Sequence, residues 1–159
     1  NLSMPVWGDD QRLFVSSAYN GGSRVVQLHR DGNNTAVDEL WTTNRTRVHF
    51  SNALRIGDLV LGSSGDFGPA FLTALDAATG KELWRERSFA RAHLIHADGV
   101  LVLVDEDGEI AVASVSDRGI NVHARKALLT ENAWTPPTLV GSTLYVRDRK
   151  EIAALNLGK

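Results

Sequence analysis

Five histidines, one acidic run and one glycine-rich stretch are the residues with which this chain could do chemistry. His93 and His96 stand three apart in a segment that reads as extended. They therefore point to opposite faces, and one ion cannot bind both. His29, His49 and His123 fall in other segments, and none of the five has the spacing of a zinc site. They read as surface or rim histidines. Asp105-Glu106-Asp107-Gly108-Glu109 resembles the first half of a calcium loop but lacks the later ligands and the terminal glutamate. Between two apolar runs, its Asp-Gly pair reads instead as a hairpin turn. Gly62-Ser63-Ser64-Gly65-Asp66-Phe67-Gly68 has the glycines of a phosphate cradle without the following helix whose amides would face the anion. Pro69 and the extended Ala70-Phe71-Leu72 follow it. It reads as a long exposed loop, and Phe67, with Asp66 and Gly68, is the candidate contact for a protein partner.

Composition removes several classes of function. There is no cysteine, hence no disulfide, thiolate metal site or cysteine nucleophile. A net charge of −2 gives no reason to expect nucleic acid. No apolar run approaches 18 residues, so no helix is expected to span a membrane. Arg45, Arg47, Arg85, Arg87 and Arg91 could form a basic strip, but their alternation with Glu82 and Glu86 reads as solvated rim charge. The sequons Asn33-Asn34-Thr35 and Asn44-Arg45-Thr46 matter only in a eukaryotic secretory setting. The ends, Asn1-Leu2-Ser3-Met4-Pro5 and Leu157-Gly158-Lys159, read as cut or processed.

The elements that must position these residues repeat. Leu13, Leu59, Leu101 and Leu144 each lie in an apolar segment after a short Gly/Asp turn, at intervals of 46, 42 and 43 residues. Leu28, Leu75, Val115 and Leu155 each precede a larger turn, at intervals of 47, 40 and 40. A unit of this length, repeated, is the signature of propeller blades. Four blades are expected, over residues 1–43, 44–88, 89–130 and 131–159, each with strands at corresponding places. Blade one takes strands near 5–7, 13–17, 24–28 and 37–42, and blade two takes 52–56, 59–62, 71–75 and 83–87. Blade three takes 93–96, 100–104, 110–115 and 120–124. Blade four takes 138–140, 144–147 and 152–155 and lacks its fourth strand. Val100 to Val104 is apolar at every position, as a strand buried on both faces requires. No window has sustained helical periodicity, so the chain reads as all-β.

Around the second unit the residues carry a family resemblance. Ala74-x-Asp76-x-x-Thr79-Gly80-x-x-x-Trp84 resembles the tryptophan-docking motif of quinoprotein-type β-propellers, those with pyrroloquinoline-quinone-like repeats. The other copies are degenerate. Blade one has Gln27-Leu28-His29 and Trp41 around a longer turn. Blade three has Ser114-Val115-Ser116 and, after a one-residue deletion, His123 at the tryptophan position. Blade four has Ala154-Leu155-Asn156. The resemblance implies that Trp84 and Trp41 pack on the neighbouring blade, and that the chain is the C-terminal half of a seven- or eight-bladed ring, with Lys159 near the native end. Similarity extends to non-enzymatic members such as the propeller lipoprotein of the outer-membrane β-barrel assembly machinery. That implies a periplasmic or otherwise exported scaffold with no cofactor, contacting protein through blade-end loops. The alternatives implied are part of a quinone-dependent dehydrogenase with its catalytic residues elsewhere, or a ligand-sensing propeller. A missing half-ring or a second copy is a further expected partner.

Overall fold

The computed structural model describes residues 3–158. Lys159, expected near the native terminus, lies outside the described residues. Strands β1 (Val6–Trp7), β2 (Arg12–Ser17), β3 (Gly22–Asp31) and β4 (Asn34–Thr43) form one antiparallel sheet in chain order. A second sheet contains β5 (Val48–Ile56), β6 (Leu59–Ser64), β7 (Phe71–Asp76) and β8 (Glu82–Glu86). A third contains β9 (Ala92–Ala97), β10 (Val100–Asp105), β11 (Glu109–Ser116) and β12 (Gly119–Ala127). The last has three strands, β13 (Thr138–Val140), β14 (Thr143–Arg147) and β15 (Ile152–Asn156). Among the described residues there is no helix. The chain is part of a β-propeller, one sheet per sequence repeat.

Local chemistry explains the meander. Asp98 and Gly99, both at positive φ (50° and 76°), make the two-residue turn that matches the twist of β9 and β10. Each sheet then stacks on the next through its middle strands. Phe14 and Val25 of the first sheet meet Val60 and Leu75 of the second. Leu61, Leu72 and Ala74 of the second meet Leu101, Leu103, Ala111 and Ala113 of the third. Val102, Val104 and Ile110 of the third meet Leu144 and Val146 of the fourth. Strands β6 and β10 are thus covered on both faces, which is why Val100–Val104 has no polar side chain. The outermost β4 and β12 are largely exposed.

Pairing corrects the sequence alignment of the repeats. Leu13 pairs with Val26, Val60 with Leu75, Leu101 with Ala113 and Leu144 with Leu155. The equivalent positions are therefore Val60 rather than Leu59, and Val26 and Ala113 rather than Leu28 and Val115. In the first sheet the shift arises because β3 and β4 run ten residues each to a tight turn at Gly32-Asn33. Their hairpin extends beyond the stacked part of the sheet and carries exposed Val37.

Candidate protein-contact face

The loops joining second to third strands and the connections between successive sheets lie at one side of the structure, where they touch one another. The glycine-rich loop is tied down at both ends. Asp66 accepts the backbone N–H of Tyr19 at 2.9 Å and pairs with Arg47 at 3.2 Å. Burial opposes ionisation of Asp66, but these donors outweigh it and hold its carboxyl below the usual range. Arg91 donates to the carbonyls of Asp66 and Gly68 at 2.9 and 2.8 Å and pairs with Glu106 at 2.7 Å. Glu106 in turn accepts the indole N–H of Trp134 at 3.1 Å. The loop expected to be merely long and exposed is thus part of a network spanning three sheets. Asp66, one of the three residues expected to contact a partner, anchors that network through Tyr19 and Arg47.

On this support lies a row of rings. Phe67 packs on Tyr19 at 5.4 Å between centroids, Tyr19 on His49 at 4.8 Å, His49 on Phe50 at 5.4 Å and Phe50 on Trp134 at 5.7 Å. Arg149 stacks over Trp134 at 4.5 Å and Arg91 over Phe50 at 5.9 Å. Phe67, Tyr19 and Trp134 are 83%, 60% and 47% exposed, although each is large and apolar. Tyr19 is also held at φ 53°, a backbone region unfavourable to a bulky side chain. Sequence reasoning singled out Phe67 but missed Tyr19 and Trp134. The turn Tyr19-Asn20-Gly21-Gly22 was the available signal for Tyr19. Nothing local predicts that Trp134 joins Phe50 across 84 residues of sequence.

The residues Ala74 to Trp84 serve the stacking of sheets. Asp76 Oδ1 accepts the Thr79 hydroxyl at 2.6 Å and the backbone N–H groups of Thr79 and Ala78 at 2.8 and 3.1 Å. The hydroxyl contributes most to keeping this carboxyl below its ordinary range. Gly80 closes the turn at φ 71°, and a Cβ there would stand 2.5 Å from Cδ2 of Trp41 in the preceding sheet. The Trp41 indole N–H donates to the Ala77 carbonyl at 3.0 Å. Trp84, paired with Ala74 in its own sheet, donates to the Ser116 carbonyl of the following sheet at 2.8 Å and is partly buried beside Val115 and Ile120. The ring over Gly80 is therefore the previous sheet's tryptophan.

The remaining candidates resolve into structural roles. His93 is buried beneath Trp134, its Nε2 3.2 Å from that residue's carbonyl, and burial depresses its pKa. The expectation of a surface or rim position fails for it, because its ring lies against Phe50 and the Trp134 carbonyl; His96 is exposed on the opposite face. Asp105 is buried and accepts the N–H groups of Ala90, Asp107 and Glu109, closing the turn that resembled half a calcium loop. Burial pushes its carboxyl up. Asp148 plays the same part in the last sheet. It binds the N–H groups of Glu151, Lys150, Glu131 and Thr130, Glu151's contributing most, and its pKa falls to about 2. Arg47, Arg85 and Arg91 of the basic group are ion-paired within the chain, and Arg85 and Arg87 stack over Phe71 at 5.2 and 5.1 Å. Among the described residues no three His, Asp or Glu side chains converge as a metal site.

A family profile described as outer membrane protein assembly factor BamB matches residues 3–159. Among curated proteins none is significantly similar in sequence. Among solved structures, the crystal structure of BamB from Moraxella catarrhalis is similar with a TM-score of 0.66 and 16% identity, over 96% of this chain and 43% of that one. The chain thus spans less than half the length of that structure.

Proposed function

Because the chain belongs to the family of outer membrane protein assembly factor BamB, we propose that it is a non-catalytic propeller segment that binds protein in the cell envelope. The assembly of outer-membrane proteins is the process it serves, on the periplasmic side. The observation that carries this reading is the row of exposed rings, Phe67, Tyr19 and Trp134, fixed by Asp66, Arg91 and Glu106. Isolated apolar residues on a surface are ordinary, but a contiguous row of aromatic side chains marks a binding site. Aromatic anchors dominate protein interfaces, and rings already held in place lose little freedom when a partner arrives. The other arrangements described above are consumed by turns and sheet stacking. The blade-end loops combine a fixed position with free apolar surface.

In the full-length protein, Phe67→Ala and Trp134→Ala should each weaken co-purification with the assembly machinery at least several-fold, while the exposed Val37→Ala on the opposite hairpin should not. Equal recovery in all three would overturn the reading. The alternative, a segment of a quinone-dependent dehydrogenase, has its own test. Full-length protein reconstituted with pyrroloquinoline quinone and calcium should show no dye-linked alcohol or sugar oxidation, and quinone-dependent turnover would displace the scaffold reading.

A further inference from the structure

The three four-stranded sheets share an irregularity in their outermost strands. In the first, Val25 pairs with Trp41 and Val26 with Glu39, leaving Leu40 unpaired. In the second, Ala74 pairs with Trp84 and Leu75 with Glu82, leaving Leu83. In the third, Val112 pairs with Ala124 and Ala113 with Val122, leaving His123. Each is a β-bulge that turns the next residue toward the following sheet. The position equivalent to Trp41 and Trp84 is therefore Ala124, not His123 as spacing suggests. Where the indoles of Trp41 and Trp84 cross to the next sheet, the third sheet offers a methyl group.

The space is open. A cavity of about 370 Å³ is lined by Ile110, Val112, Ala124, Arg125, Lys126 and Leu128 of the third sheet and its connection, and by Leu155 of the fourth. The acceptor side of the arrangement is kept as well. Ala77 N–H bonds the Asp58 carbonyl, and Leu157 N–H bonds the Ser142 carbonyl in the same way. Leu157 is thus the counterpart of Ala77, whose carbonyl accepts the indole N–H of Trp41.

We propose that this cavity receives the indole ring of a tryptophan on a partner polypeptide, flanked in that partner by acidic residues. The molecule itself specifies the ring, since two equivalent places hold indoles. The polypeptide source follows from β12, an exposed edge strand along the cavity. An extended segment added beside it would satisfy edge backbone groups and direct alternate side chains to the face of Ala124. Charge specifies the neighbours. The lining has no carboxylate, and Lys126 is exposed and in no ion pair among the described residues. Arg125 is already held by Glu109 and by the Ser88 carbonyl. This surface lies along the outer strand and does not depend on the loop face.

The test uses methyl-labelled full-length protein and an acidic pentapeptide with a central tryptophan. The peptide should saturably shift the methyl resonances of Val112, Ala124, Leu128 and Leu155, whereas its Trp→Ala counterpart should not. Lys126→Glu should weaken binding about threefold or more. Ala124→Trp should abolish binding and raise the Tm by filling the cavity. If that variant does not fold, Ala124→Met, whose flexible chain occupies part of the cavity, should weaken binding at least fivefold. Unmoved methyls at millimolar peptide, undiminished binding to the filled variants, or free indole binding as tightly as the peptide would each overturn the proposal.

Discussion

Gly80→Ala is expected to separate the two sheets that Trp41 joins. An L-residue at the left-handed φ of 71° costs about 1–2 kcal/mol. The added Cβ would also stand 2.5 Å from the Trp41 ring, which cannot yield as a flexible chain would. Displacing the ring forfeits its hydrogen bond to Ala77, about 1 kcal/mol, and part of its burial. Removing a buried Trp costs about 3–5 kcal/mol, and Trp41 is only partly buried, so the ring is worth roughly 2 kcal/mol. The total for Gly80→Ala is about 3–4 kcal/mol. Gly99 is the control, having φ 76° and nothing within 4 Å of its virtual Cβ, so Gly99→Ala should cost the strain alone. Urea denaturation of both variants, with and without Trp41→Ala, closes a double-mutant cycle. Without the ring, Gly80→Ala should fall to the cost of Gly99→Ala, a coupling of about 2 kcal/mol. Equal costs for the two glycines, or a coupling below about 0.5 kcal/mol, would refute the contact.

Two further perturbations separate structural from contact roles. Asp66→Ala removes the acceptor of Tyr19 N–H and the partner of Arg47, and should cost about 1–3 kcal/mol in urea denaturation, whereas Phe67→Ala, mostly exposed, should change stability by less than about 0.5 kcal/mol. Asp148 has a folded pKa of about 2, below its ordinary value of 3.8, so its contribution to stability is complete above pH 3.8 and lost as pH falls through 2. Asp148→Asn should accordingly flatten the dependence of stability on pH between 4 and 2, measured by urea denaturation across that range.

What the sequence made legible was what depends on local chemistry and strand period. Asp98-Gly99 announced its turn, and the unbroken apolar run from Val100 announced a strand covered on both faces. The repeat announced four sheets. Register was not legible, because a bulge inserts a residue without leaving a compositional mark. Spacing alone therefore aligned His123 with Trp84, while pairing aligns Ala124. Contacts between sheets were equally hidden. Gly80 stood in the motif with no sign of what faces it, yet its open face is occupied by Trp41, 39 residues earlier. Asp66 and Phe67 are neighbours in one loop but point to different fates, one into an ion pair and the other into solvent. The third exposed ring, Trp134, was hidden for the same reason, since its ring partner Phe50 lies 84 residues earlier.

Photo-crosslinking from position 67 tests the central claim most directly. A photoreactive phenylalanine analogue replaces Phe67 in the full-length protein within the intact envelope, with the same analogue at Val37 as the distant control. Irradiation should yield one discrete protein adduct from position 67, lost when Trp134 is changed to Ala, and none from position 37. An adduct from position 37 with none from position 67 would contradict a protein-binding face built on these loops.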